Sequence, residues 1–97
     1  MKHKINLALQ VIPKSKTREA YDLVDEAIKI IQNSGLKYRV CPFETVIEGD
    51  YHSVMSVVDR AQQACFESGA EELLVYVKIQ RRKDADVTME EKTGKYN

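Results

Sequence analysis

Two carboxylates, Glu44 and Glu48, stand four residues apart inside the stretch Tyr38-Arg-Val-Cys-Pro-Phe-Glu-Thr-Val-Ile-Glu-Gly-Asp50. General acid/base chemistry would need them close, yet four extended residues at roughly 3.3 Å each separate them by about 13 Å. They do not share a proton, and Glu44 reads as an exposed turn residue. Glu48 is different, because it follows Val46-Ile47 and precedes Gly49 at a strand end beside a helix start. A carboxylate held there accepts paired N–H donors from a flat heterocycle or offsets a cation, with Phe43 and Tyr76 available to stack. Equally, Glu48 suits a local cap or a pair with Lys78, and each aromatic suits core or subunit packing.

Other chemistries are excluded in turn. His3 and His52 have no neighbouring Ser/Asp or Cys/Asn pattern, so a catalytic triad is not expected. Cys41 and Cys65 stand alone without CxxC or a Cys/His cluster, which argues against zinc and a disulfide framework. Four glycines, at 35, 49, 69 and 94, form no phosphate-cradling motif. The expectation is a protein that is not an enzyme and carries no metal or cofactor.

Fifteen basic residues balance fifteen acidic ones, so the charge footprint of a nucleic-acid binder is missing. Apolar residues at 43% and charged residues at 31% mark a globular domain. Lys2 and Lys4 precede an apolar stretch interrupted by Asn6 and Gln10, unlike a signal peptide, and no run is long enough for a membrane span. A cytoplasmic protein with reduced thiols is expected. At 97 residues the chain is one domain, 1–97, that buries only roughly 60–65% of its unfolded surface, which favours self-association.

The elements that position these residues follow from periodicity. Ile5, Leu7, Leu9 and Val11 alternate as a strand with one apolar face, its other face half greasy through Ala8 and Ile12 beside Gln10. Pro13 to Lys16 reads as a loop, with Thr17 as N-cap of a helix carrying Ala20, Leu23, Val24, Ala27, Ile28 and Ile31 on one face and stopping at Gly35. A hairpin turns at Pro42–Glu44, and Asp50 caps a second helix with Val54, Val57, Val58, Ala61, Ala64 and Cys65 inward, ending at Gly69. Leu73, Val75, Val77 and Ile79 form the inner face of a last strand. Arg81–Asp86 reads as a solvated charged loop, and Thr88-Met-Glu-Glu91 as a capping box opening a short helix to about Tyr96.

This order predicts an α+β, ferredoxin-like βαββαβ sandwich: a four-stranded antiparallel sheet, two helices on one face and a short C-terminal helix. Gln10, Ile12, Tyr76 and Lys78 line the open face.

The strings Cys41-Pro-Phe-Glu-Thr-Val-Ile-Glu-Gly49, Ser68-Gly-Ala-Glu71, Val77-Lys-Ile-Gln-Arg-Arg-Lys-Asp84 and Met89-Glu-Glu-Lys92 together resemble the YkoF-like small thiamine-binding family over almost the whole chain. The resemblance implies the same fold, dimers or tetramers formed through sheets, and non-catalytic binding of thiamine or its hydroxymethylpyrimidine moiety. Carried over by position, it implies Pro42, Phe43, Thr45, Ile47 and Glu48 as the hairpin part of a pocket, with Gln10 and Tyr21 from the first strand and helix. Phe43 stands where methionine is usual, and Gln80 where aspartate is usual. On this basis the aminopyrimidine edge is expected to present N–H donors to Glu48 and to Thr45 or backbone groups, with the ring stacked on an aromatic or Pro42 and the thiazolium near a carboxylate. The alternative is a structural or regulatory oligomerisation module with no small-molecule ligand. An RNA-recognition module or a phosphatase on the same fold fits less well, for want of a basic aromatic sheet and of a glycine-rich first loop.

Overall fold

Alternation along Ile5, Leu7 and Leu9 makes one side of the first strand apolar, and in the computed structural model that side floors the core. The structure describes residues 3–97, and Met1 and Lys2 lie outside it. Strand β1 (Lys4–Lys14) is followed by helix α1 (Ala20–Gln32), strands β2 (Lys37–Val40) and β3 (Thr45–Asp50), helix α2 (Tyr51–Glu67), strand β4 (Glu72–Gln80), helix α3 (Met89–Thr93) and a 3-10 turn, Gly94–Tyr96. The sheet runs β2-β3-β1-β4, and all three pairings are antiparallel. This is the expected α+β architecture. Leu23, Ala27 and Ile31 of α1 and Val54, Val57, Val58, Ala61 and Cys65 of α2 close the core against Leu7, Leu9 and Ile47.

The stops work as the sequence implies at Gly35 and Gly69, whose φ values of 82° and 121° lie where a side chain would be strained. Asp50 caps α2 by accepting from the Ser53 N–H at 3.1 Å, and the Ser53 side chain together with that N–H holds its carboxyl below the usual range. Gly49 has no such φ. It is needed for space, since a Cβ there would sit 3.2 Å from Leu36 and 3.3 Å from Val54.

Four expectations change. Pro13 continues β1 instead of opening a loop, opposite Leu73; β1 has no β3 partner beyond Leu9, so the missing N–H leaves no gap in the ladder. Thr17 is not the N-cap. Glu19 is, without a side-chain cap, because Ser15 Oγ already gathers the Thr17 and Arg18 N–H groups at 3.1 Å each while donating to Gly69 O at 2.8 Å. Val77 and Ile79 do share the helix side, opposite Leu9 and Leu7, yet they remain 40% and 44% exposed because only the Leu73 and Val75 part of β4 packs against the core. The 81–86 loop is not merely solvated. Val87 is fully buried, its N–H donates to Lys4 O at 2.9 Å, and Asp86 accepts from the Lys4 N–H at 2.8 Å. These contacts fasten the C-terminal segment to the sheet.

Candidate functional site

Four residues, 41–44, join β2 to β3, with Pro42-Phe43 at the tip of a turn closed by the Cys41 N–H donating to Glu44 O at 2.9 Å. The proline ring fixes its own backbone and leaves Phe43 at the tip, 81% exposed. This tip leans over the start of α1 and the outer half of β1 to form a cleft of about 190 Å³. Gln10, Tyr21, Pro42, Phe43 and Thr45 all line it, with Val24 and Ile28 of α1 as its apolar wall. Five of the seven residues expected at a site therefore converge on one place. Tyr21, 86% exposed, and Phe43 are two aromatic rings left outside the core at its mouth.

Ile47 and Glu48 are not part of it. Ile47 is wholly buried opposite Leu7, under the helices. Glu48 pairs with Asn6 on the other side of the sheet from Thr45, which pairs with Leu9. Of the two expected companions of Glu48, the Thr45 hydroxyl is thereby excluded and backbone groups are left: three positions apart on a strand, Glu48 and Thr45 point to opposite faces. Nor does Glu48 pair with Lys78. Its Oε1 accepts from Asn6 Nδ2 at 3.2 Å and from the Met89 N–H, so it fastens the start of α3 to the sheet. Asn6 was not singled out from sequence; the available signal was an amide inside an apolar alternation.

Lys78 instead meets Glu44 at 3.5 Å on the open face, beside a second depression of about 310 Å³ that Asn6, Lys92 and Gln80 also line. Asn6 Nδ2 donates to Glu48 and to Val87 O at 3.1 Å, while its buried Oδ1 has no partner among the described residues. Glu44 borders both hollows.

The clasp over this end of the sheet is completed by Thr88 and Glu91, a capping box, and by the two terminal guanidinium nitrogens of Arg82, which donate to the Glu91 carboxylate. The Arg82 hydrogen bonds, then the Thr88 N–H, pull the Glu91 carboxyl from 4.5 to about 2. A carboxyl depressed in the folded state stabilises above its unfolded value and loses that contribution as pH falls through the folded one. The clasp is accordingly expected to be intact at neutral pH and to loosen between about 4.5 and about 2. Amide exchange at Val87 and Met89, corrected for intrinsic rates, should accelerate over that window while Leu7 stays protected.

Fold and cleft describe a small α+β domain with a hollow at its hairpin. Residues 7–97 match the family described as "Thiamine-binding protein", and the chain belongs to that family. It is similar to the UPF0045 protein CPE1503 of Clostridium perfringens, 38% identical over 91 residues that cover 94% of this chain and 95% of that one. A Bacillus cereus structure of a domain of unknown function, DUF77, superposes with a TM-score of 0.96 at 41% identity, covering 100% of this chain and 93% of the other. A Thermotoga maritima protein, named as a candidate for thiamine biosynthesis or salvage, does so at 0.86 and 26% identity, covering 97% and 99%. Among the described residues no helix is long and apolar enough to cross a membrane.

Proposed function

We propose that this protein binds thiamine or a related aminopyrimidine without transforming it, taking the pyrimidine ring into the cleft between α1 and the hairpin. The observation that carries this reading is the convergence of Gln10, Tyr21, Pro42, Phe43 and Thr45 on that one hollow. At about 190 Å³ it lies below the roughly 300 Å³ at which drug-sized pockets begin, so it suits a single ring with the rest of the ligand outside. The Thr45 hydroxyl and Gln10 amide supply the mixed donors and acceptors that an aminopyrimidine edge requires. Phe43 and Tyr21 stack on the ring, and Glu44 at the rim offsets the thiazolium charge. Nothing in this arrangement breaks a bond, so the role is to hold, carry or buffer the vitamin.

Calorimetric titration with thiamine and with hydroxymethylpyrimidine tests it. Phe43→Ala should lower affinity about two- to tenfold, from a lost stacking contact of roughly 0.5–1.5 kcal/mol, with little change in melting temperature because the ring is exposed. Absence of heat with either ligand, or equal affinity in Phe43→Ala, refutes it.

A further inference from the structure

A cleft of about 190 Å³ leaves part of its ligand outside, and the open face of the sheet has a place for the remainder. Gln10 and Ala8 share that face about 7 Å apart, at roughly 3.4 Å per residue. The small side chain of Ala8 leaves a depression of about 310 Å³ between Val46 of β3 and Lys78 of β4. Glu44 borders both hollows, and its carboxylate lies 3.5 Å from the Lys78 ammonium. A second ammonium, that of Lys92 on α3, is held at the depression by donating to the Gln80 amide oxygen at 2.7 Å. That partner is neutral, and among the described residues Lys92 makes no ion pair. Glu48, behind Asn6, already spends its carboxylate on two N–H donors. Two ammoniums therefore line the hollow against one carboxylate, an excess of positive charge.

We propose, on the strength of the cleft assigned above, that this hollow receives the phosphate of a phosphorylated ligand, so that the preferred form of the vitamin is its phosphate monoester, thiamine monophosphate. The order of groups along the protein matches the order in that molecule. Gln10 and Thr45 come first, neutral donors and acceptors for the aminopyrimidine. The Glu44 carboxylate follows for the thiazolium, and the Lys78 and Lys92 ammoniums for the phosphate. Unphosphorylated thiamine ends in a neutral hydroxyl and leaves both ammoniums unused. Asn6 limits the depth of entry: its buried Oδ1 is an acceptor without a partner among the described residues, and it repels an oxyanion. The phosphate is accordingly placed at the rim, between the two ammoniums. Contacts so exposed are partly screened, so each ammonium contributes about threefold in affinity.

Calorimetric titration of the whole chain with thiamine, thiamine monophosphate and inorganic phosphate, at low and at high salt, tests it. The monophosphate should bind about tenfold tighter than thiamine, and the advantage should shrink as salt rises. Lys92→Gln removes one ammonium and Gln80→Glu neutralises it. Each should cut the advantage to about threefold, leaving thiamine affinity and the circular dichroism unchanged, since both residues are exposed and neither lines the cleft. Thiamine bound with no gain from the phosphate, or a gain that survives both substitutions intact, overturns the phosphate site and leaves the cleft standing. Inorganic phosphate binding as tightly as the ester also overturns it, since the hollow would then hold an anion without reference to the cleft. Silence from thiamine and ester alike overturns both.

Discussion

Ile47→Ala is expected to cost about 2–5 kcal/mol of stability, the usual loss when a wholly buried branched side chain is cut to a methyl and the surroundings close only in part. Ile47 lies opposite Leu7 within the packed core. Against a typical total of about 5–15 kcal/mol for a domain, that is a large share. Urea unfolding should show the midpoint falling with little change in slope. The folded fraction should still bind thiamine, because Ile47 does not line the cleft. A variant with full stability but weakened binding would return Ile47 to the site.

Glu48→Ala should have the next largest effect. Residue Glu48 is 5% exposed and its carboxylate receives both the Asn6 amide and the Met89 N–H, so removing it leaves the part-buried Met89 N–H and one Asn6 amide hydrogen without an acceptor, the Asn6 nitrogen keeping only Val87 O. Hydrogen bonds to charged groups contribute roughly 1.5–3 kcal/mol, and an orphaned buried donor costs a comparable amount, so a loss of about 2–4 kcal/mol is expected. Glu48→Gln keeps one oxygen for the same donors and should lose less than half of that. Amide exchange localises the damage: protection at Val87 and Met89 should vanish first as α3 lifts from the sheet. Glu48→Ala with native protection there would dissociate the acid from the clasp.

Much of this molecule was legible before any coordinates. Leu23, Ala27 and Ile31 at helical spacing, and Ile5, Leu7 and Leu9 at strand spacing, each declare which side is buried, and Gly35, Asp50 and Gly69 mark where elements end. Five of the residues now lining the cleft were likewise named by type and motif. The misses have particular causes. Strand parity alone separates Thr45 from Glu48, and a motif written as a string conceals that parity. The partners of Glu48 lie 41 and 42 residues away, so no local pattern announces a clasp. Burial of β4 failed for a different reason. Alternation fixes the side on which Val77 and Ile79 point, but only the width of the helix layer decides whether that side is covered.

The acid of the hairpin thus moves from the centre of a binding hypothesis to the centre of a structural one, while the turn residues before it keep the cleft. Backbone chemical-shift mapping during a thiamine titration separates the two most directly. Saturable shifts should concentrate at Gln10, Tyr21, Phe43 and Thr45, leaving Asn6, Glu48 and Met89 unmoved. Shifts centred on Asn6, Glu48 and Met89, with the hairpin tip silent, would contradict the account.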